Sequence, residues 1–340
     1  GAVATAEGIG LVLGLLTAAL WVRNVSWRSA LLAGLAIYAG LNFSSPMVEG
    51  HTGILILRFL SGFVGGGVFA IVVAALGDNR EPDRAFGIAQ AVQGLVMGAL
   101  FAWAPSLMSN SGINSLFYLM ALLALTTLIF LPRFPRYGVV GASPESTDIA
   151  ADSSASVPPA LYFGLFGGFA YYLAVFGFWG FIERMGIQAG LEETTIGYAL
   201  GISQLAAIFG ALLAAAAAQR FGRFVPILIA LVGQLWVLWL LVGQFSAWSF
   251  YAGACAYQGL YVMATSYQLG VIAHLDSKGK FIVVMTALQG LGAALGPSIA
   301  AGLINEGDYS GINTAAAATL IISLGLFLYL AHSADGRRAK

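Results

Sequence analysis

The stretch ILILRFLSGFVGGGVFAIVVAALGD, from Ile54 to Asp78, is apolar or uncharged up to its closing aspartate except for one residue, Arg58. A run of about 20 such residues is long enough to cross the hydrocarbon core of a bilayer as an α-helix. An arginine inside such a helix costs about 2.5 to 3.5 kcal/mol on insertion scales, because its charge leaves water. The stretch therefore predicts a membrane-spanning helix in which Arg58 has a specific partner or role.

The whole chain has the composition of a membrane protein. Of its 340 residues, 59% are apolar and 9% are charged, whereas soluble domains have about 25% charged residues. Fifteen basic residues balance fifteen acidic ones, so no polycationic surface is present and nucleic acid is not an expected partner. The single cysteine, Cys255, excludes an internal disulfide framework.

Hydropathy predicts an all-α membrane protein with eleven spans. They lie at residues 6–22, 29–44, 53–77, 85–107, 113–132, 160–184, 195–218, 224–243, 247–273, 280–304 and 312–332. Residues 133–159 are rich in Ser and Pro and predict a soluble linker. We therefore expect a helical bundle at 1–132, the linker at 133–159, a second bundle at 160–333 and a tail at 334–340.

The basic residues predict the orientation, because Lys and Arg accumulate on the cytoplasmic side of membrane proteins. With eleven spans, all but two of the fifteen lie on one face; the exceptions are Arg58 and Arg184. The linker and the tail are therefore expected in the cytoplasm. We expect a plasma membrane of bacterial type, the inner membrane.

The two predicted bundles are related by an internal repeat. Gly62–Gly94 and Gly259–Gly290 share the order span, aspartate, charged turn, span and Gln-Gly-Leu, at a shift of 196 or 197 residues. The same shift lays Gly14 over Gly210. The span at 160–184 has no counterpart in the first half, so we expect a first helix of about 35 to 45 residues with its flank to be missing from a repeat of six plus six.

Three short motifs carry a resemblance to a known family. The run from Arg58 to Gly66 pairs an arginine with small residues, and the segment from Gly292 to Gly302 contains a glycine-proline pair. Basic loops at Ala18–Arg28 and Ala217–Arg223 follow corresponding spans. Members of the major facilitator superfamily have two halves of six spans joined by a cytoplasmic linker. The chain resembles this family, with 5 + 6 of the expected 12 helices. Both loops lack the aspartate of the family motif, so the resemblance does not extend to the gating salt bridges built there.

The resemblance implies which residues line a central solute pathway, because the first, fourth, seventh and tenth helices of such proteins surround it. Arg58 lies on the fourth. The seventh carries an aromatic stripe, and the tenth a polar arc; the candidate lining residues are Tyr172, Phe176, Trp179, Tyr257, Gln258, Tyr261, Thr265 and Gln268. Helix packing and a hinge are assigned to Gly62, Gly66, Gly292, Gly296 and Pro297.

Arg58 has two interpretations. It lies about four residues from the outer boundary, so its side chain can reach the outer headgroups; alternatively it faces the central cavity, which the resemblance favours. A carboxylate near it would couple protonation to conformation. The candidates are Glu183, which continues the spacing of Tyr172, Phe176 and Trp179, and Glu7 near the outer end of the first span. The alternative for Glu183 is an interfacial residue in water.

The sequence therefore predicts a secondary transporter that moves a small organic solute by alternating access, coupled to protons. No metal-site spacing, Gly-x-Ser-x-Gly or phosphate-binding loop occurs, so we expect no enzyme activity, no metal and no cofactor. A facilitative uniporter, a non-transporting receptor or scaffold, and an inactive truncated carrier remain alternatives. The expected partners are the solute, H⁺ and the lipid bilayer, with the protein a monomer.

Overall fold

The described part of the protein folds mainly into α-helices. Its computed structural model describes residues 2–112, 114–138, 159–217, 220–276, 278–305 and 308–336. The described residues form α1 (Ala2–Trp21), α2 (Trp27–Ser44), α3 (His51–Gly77), α4 (Pro82–Ser111), α5 (Asn114–Thr127), α6 (Pro159–Trp179), α7 (Ile182–Gln188), α8 (Glu193–Ala217), α9 (Phe224–Leu240), α10 (Ala247–Leu275), α11 (Phe281–Ala301) and α12 (Ser310–Gly336). Short 3₁₀ turns cover Ser45–Met47 and Leu128–Arg133. The all-α prediction is confirmed.

Each of the eleven predicted spans coincides with helix, but the one at 160–184 is interrupted. α6 ends at Trp179 and α7 begins at Ile182. Between them, the amide of Phe181 bonds to the carbonyl of Phe178, so the last turn tightens next to Gly180, a poor helix former. Glu183 lies in the first turn of α7. The prediction that it continues the aromatic stripe of α6 is therefore wrong.

The helices have the lengths and surfaces of membrane spans. Within the part of the chain that the structure describes, seven helical segments are long and apolar enough to cross a bilayer, and α1 and α9 contain shorter apolar stretches, Thr5–Trp21 and Phe224–Leu240. Large apolar side chains such as Leu20, Trp239 and Trp248 are exposed. Surfaces of this kind mark contact with a membrane or a partner, and the lengths favour the membrane.

Two compact units make up the chain. Unit 1 contains residues 1–78, 99–157 and 276–287, and unit 2 contains residues 79–98, 158–275 and 288–340. The boundaries fall inside α4 and inside α11, so each unit takes in a short piece of the other half of the sequence. The predicted boundaries at 132 and 159 remain a prediction. Residues 139–158 of the predicted linker and 337–340 of the tail lie outside the described residues.

The packing within each unit follows the internal repeat. In unit 1, α1 packs on α3, and α2 packs on α3 and α5. In unit 2, α8 packs on α10, and α9 packs on α10 and α12. α1, α2, α3 and α5 therefore correspond to α8, α9, α10 and α12. α6 packs mainly on α12, and no described helix of unit 1 corresponds to it.

Glycines bring the paired helices into close contact. A Cβ added to Gly14 of α1 would collide with the carbonyl oxygen of Phe63 of α3, and a Cβ added to Gly66 of α3 would collide with that of Leu11. The corresponding position in unit 2, Gly210, faces the carbonyl of Gly259 in the same way. Small residues matter here because the hydrophobic effect does not drive apolar helices together in lipid. Close van der Waals packing stabilises the helix pair instead, and small residues allow it.

We expect Gly14→Ala to lower the stability of the protein, because α1 and α3 must separate to admit the methyl group. Overpacking of this kind costs about 1–3 kcal/mol, more than the gain of up to about 1 kcal/mol from the better helix propensity of alanine. Thermal unfolding of the purified protein in detergent measures the change. Gly8→Ala on the same helix is the control, since an added Cβ there meets nothing within 4 Å. Equal unfolding temperatures for the two variants would contradict the close-contact interpretation.

Candidate functional site

Arg58 is enclosed by unit 1. Its side chain is 1% exposed. Nη1 donates a hydrogen bond to Oδ1 of Asn42 (3.1 Å), and Nη2 donates one to Oγ of Ser45. The ring of Phe117 on α5 lies 4.8 Å from the guanidinium carbon. The side chain therefore points into the protein, and the interpretation that it reaches out to lipid headgroups is wrong.

Glu7 supplies the negative charge nearest to this guanidinium. Its Oε2 lies 3.9 Å from Nη1 of Arg58, a distance at which the charges attract without forming a hydrogen bond. The side chain of Glu7 is 32% exposed. The Nε atom of Arg58 is buried and has no hydrogen-bond partner among the described residues. The hydrogen-bonding capacity of Arg58 is thus only partly used among the described residues, and the acidic side chain that lies near it is partly exposed.

Neutral side chains on α2 and α3 extend this network. Asn42 donates from Nδ2 to Oγ of Ser61 (3.2 Å) and to the carbonyl of Tyr38 (2.9 Å). These residues were not predicted from the sequence, because single Asn and Ser residues are common in membrane helices. The sequence did contain one indication of this network. Asn42 and Ser45 are three residues apart, as are Arg58 and Ser61, and residues at this spacing lie on the same face of a helix.

An apolar groove of about 420 Å³ opens between α1, α2, α3 and α5 of unit 1. Glu7 lies in its lining, together with Tyr38 and Ser61 of the Arg58 network. The other walls are formed mainly by aliphatic side chains and glycines. We call this feature the unit 1 groove.

The predicted aromatic residues of α6 and α10 come together in unit 2. The ring centroids of Tyr172 and Phe176 are 5.5 Å apart, and each lies 5.8 Å from that of Tyr261. The hydroxyl of Tyr261 donates to that of Tyr172 at 3.4 Å, and Tyr172 donates to Oγ1 of Thr265 at 3.5 Å. All three rings remain partly exposed, so they form an aromatic surface with hydroxyl groups.

The other predicted lining residues of unit 2 divide into two groups. Trp179 and Gln258 are partly exposed, whereas Tyr257, Thr265 and Gln268 are buried. Trp179 stacks on Tyr257 with centroids 6.1 Å apart. Tyr171 and Gln234 were not predicted from the sequence; the hydroxyl of Tyr171 donates a buried hydrogen bond of 3.0 Å to the amide oxygen of Gln234.

The remaining predicted residues lie apart from the aromatic surface. Glu183 is exposed at the start of α7. Gly292 and Gly296 pack on α6, where an added Cβ would lie 2.7 Å and 2.6 Å from the carbonyl oxygens of Phe169 and Leu173. Pro297 follows within α11. Gly62 and Gly66 pack on α1.

Both basic loops form ion pairs, although neither loop contains an aspartate. Nη1 of Arg23 bonds to both carboxylate oxygens of Asp78 at 2.8 and 2.7 Å, and Nε bonds to the carbonyl of Gly279 at 2.9 Å. Asp78 follows α3, outside the loop. Asp276 accepts the amide of Ile282 at the start of α11; burial raises its pKa, although backbone hydrogen bonds and the charge of Arg23 oppose this.

The second ion pair, in unit 2, is fully buried. Nε and Nη2 of Arg223 each bond to the carboxylate of Asp83 at 3.0 Å, and both side chains are at most 1% exposed. Asp83 lies in the first turn of α4. Gly270 of α10 leaves room for this carboxylate, since a Cβ there would collide with it. Each basic loop thus forms a salt bridge, and the aspartate in each salt bridge comes from outside the loop.

We expect Asp83→Asn to destabilise the protein by about 3–5 kcal/mol, because it leaves a buried guanidinium without its carboxylate. Glu81→Gln is the matched control. Glu81 pairs with Arg84 at 3.4 Å, but both side chains are at least half exposed, and such surface pairs contribute about 0–1 kcal/mol. Denaturant-induced unfolding compares the two variants, and a loss of less than about 1 kcal/mol for Asp83→Asn would contradict a structural role for the pair.

Solved structures with a similar fold include membrane transporters. The structure resembles FucP in the outward conformation, a Major Facilitator Superfamily transporter, with a TM-score of 0.78 at 12% identity. The match covers 97% of this chain and 89% of the FucP chain. A point variant of the Escherichia coli fucose:proton symporter FucP gives 0.80 at 12% identity, over 97% and 90% of the chains. The proton:xylose symporter XylE, bound to 6-bromo-6-deoxy-D-glucose, gives 0.74 at 11% identity over 95% and 84%.

These likenesses show the fold. A search of curated protein sequences gives no match. The sequence profile of the Major Facilitator Superfamily matches residues 1–264, well over half of the 340 residues. This match confirms the resemblance drawn from the motifs and the repeat, and it confirms a carrier rather than an enzyme. The chain therefore belongs to the Major Facilitator Superfamily and is a multi-pass membrane protein of the secondary transporter class.

Proposed function

We propose that the protein is a proton-coupled transporter that moves a small organic solute by alternating access, with the proton carried by Glu7. The observation that supports this most directly is the pair of Glu7 and Arg58, in which a partly exposed carboxylate lies 3.9 Å from a buried guanidinium. Solved structures with a similar fold include two proton symporters of sugars.

Proton binding can be coupled to conformation because the guanidinium of Arg58 lacks a full set of hydrogen-bond partners among the described residues. Ionised Glu7 stabilises the buried guanidinium through space, because Coulomb attraction is stronger away from bulk water. Protonation of Glu7 removes this attraction and leaves Arg58 with the neutral oxygens of Asn42 and Ser45. In a conformation that gives Arg58 another hydrogen-bond partner, Arg58 no longer needs the charge of Glu7, so Glu7 would bind a proton more tightly. By linkage, protonation of Glu7 stabilises that conformation by the same free energy.

The solute contacts the aromatic surface of unit 2, in this proposal. Tyr172, Phe176 and Tyr261 present ring faces and hydroxyl groups, and Trp179 and Gln258 add a further ring and an amide. Binding sites for small molecules combine apolar walls with a few placed polar groups. This set suits a moderately polar or aromatic solute, and it contains no cation that would favour a polyanion.

The proposed setting is the inner membrane of a bacterium, with the linker and the C-terminal tail in the cytoplasm and the protein as a monomer. The support is the placement of basic residues on one face of the predicted spans, since Lys and Arg are retained on the cytoplasmic side. Arg23, Arg223 and their aspartates then lie at the cytoplasmic ends of the helices.

Glu7→Gln tests the proton site. We expect uptake into proteoliposomes to lose its response to an imposed pH gradient, which for a coupling of 1–3 kcal/mol means a change of roughly 5- to 150-fold. The solute is the one that raises the unfolding temperature of the wild-type protein most in a screen of sugars, aromatic acids and hydrophobic cations, beginning with fucose and xylose.

Glu183→Gln is the control, because Glu183 is exposed in the first turn of α7. We expect this variant to keep the pH response of the wild type. If Glu183→Gln lost the response and Glu7→Gln kept it, the proton site would be Glu183. If neither variant changed uptake and the wild type ignored the gradient, the protein would be a uniporter.

Tyr172→Phe tests the solute surface. Loss of one neutral hydrogen bond to the solute costs about 1 kcal/mol, so we expect KM to rise about fivefold with little change in unfolding temperature. Tyr198→Phe on α8 is the control, because its side chain is 70% exposed and lies outside the proposed surface. A KM for Tyr172→Phe equal to that of the control would remove Tyr172 from the proposed site.

A further inference from the structure

We propose that three arginines of unit 1, Arg28, Arg133 and Arg136, bind the headgroup phosphate of an anionic phospholipid. Arg28 lies in the first turn of α2. Arg133 ends the 3₁₀ turn that follows α5, and Arg136 lies three residues further along the chain. We call these three residues the arginine cluster. None of them belongs to the Glu7 and Arg58 pair or to the aromatic surface of unit 2, so this site is independent of the proposed function.

Hydrogen bonds bring the arginine cluster together. The amide of Trp27 donates to the carbonyl oxygen of Arg136 at 2.8 Å, and Nε of Arg28 donates to the carbonyl oxygen of Phe134 at 2.6 Å. The rings of Trp27 and Phe134 lie 6.3 Å apart. The segment after α5 is therefore fixed on the start of α2, and the three guanidinium groups lie at one end of unit 1. Among the described residues, both Nη atoms of Arg28 remain without a hydrogen bond.

The positive charge of the arginine cluster is not balanced by a nearby acidic side chain. No ion pair among the described residues includes an arginine of the cluster. Asp78 lies near it, beside Gly138, but this carboxylate is bonded to Arg23 and is 8% exposed. Two arginines of the cluster are exposed, and Arg28 is half-buried. The cluster therefore favours an anion, and guanidinium groups suit phosphate because they can donate two parallel hydrogen bonds to it.

Exposed apolar side chains lie one helical turn from the arginine cluster. Phe130 precedes Arg133 by three residues in the 3₁₀ turn, a spacing that places both on one face, and it is 68% exposed. Leu32 follows Arg28 by four residues on one face of α2, and it is 51% exposed. A soluble anion would use the charges alone. A phospholipid also places its acyl chains along these apolar side chains, so the combination favours a lipid.

The internal repeat shows that the fold does not require these arginines. At the shift of 196 residues, the counterparts of the arginine cluster in the second half are Phe224, Tyr329 and His332. Lys and Arg are retained on the cytoplasmic side in both halves of a membrane protein. This retention alone does not explain a cluster of three arginines in one half only, whereas a specific anionic ligand does.

Lipid binding to the purified full chain in detergent micelles tests the proposal. Native mass spectrometry measures the Kd for dioleoylphosphatidylglycerol, and dioleoylphosphatidylcholine serves as the zwitterionic lipid with the same acyl chains. The test variant is Arg133→Gln/Arg136→Gln. The matched control is Arg80→Gln/Arg220→Gln, which also removes two exposed arginines but leaves the arginine cluster intact. Thermal unfolding verifies that both variants fold, as expected for exposed side chains.

We expect the test variant to bind phosphatidylglycerol about 30-fold more weakly than the control variant, because each Lys or Arg near an anionic lipid contributes a factor of about five to binding. Arg133→Lys/Arg136→Lys should bind it like the wild type, since the charge remains.

Three results would overturn the proposal. Equal binding of phosphatidylglycerol by the two glutamine variants would show that the arginine cluster is not the site. Equal binding of the two lipids by the wild type would show that the headgroup charge is not recognised. If glycerol 1-phosphate bound as tightly as phosphatidylglycerol, the ligand would be a soluble phosphate and not a lipid.

Discussion

The burial of one guanidinium is the constraint on which the functional half of this structure depends. Arg58 lies in an apolar helix, and its charge requires partners wherever lipid and protein exclude water. α2 supplies Asn42, the 3₁₀ turn that follows it supplies Ser45, and α5 supplies the ring of Phe117. α1 is held against α3 by glycines, and it brings Glu7 to 3.9 Å. Four helices of unit 1 thus converge on the side chain of Arg58, and Glu7 is the acidic residue among them.

The internal repeat shows that this polar cluster is specific to the first half. At the shift of 196 residues, Arg58, Asn42 and Ser45 correspond to Ala254, Leu238 and Leu241. Unit 2 has instead the rings and hydroxyls of Tyr172 and Tyr261. In the proposed function the two halves share an architecture but differ in chemistry, with the proton in the first and the solute contacts in the second.

Much of the fold could be predicted from the sequence, because span length, basic residues and the repeat are each strong signals. The break after Trp179 was missed, since glycines are frequent inside these helices and Gly180 does not stand out. The aromatic residues of α6 and α10 were found by their spacing. Asn42 and Ser45 were not, because only the fold reveals which neutral side chains face a charge. The partners of Arg23 and Arg223 were missed because their aspartates lie outside the basic loops.

A double-mutant cycle between Glu7 and Arg58 tests the central interaction most directly. The free energy of unfolding is measured for the wild type, Glu7→Gln, Arg58→Met and the double variant. The structure predicts a coupling of about 1 kcal/mol or more, because each residue loses its charged partner when the other is replaced. Additive effects, within about 0.5 kcal/mol, would show that the two side chains do not interact and would contradict the account.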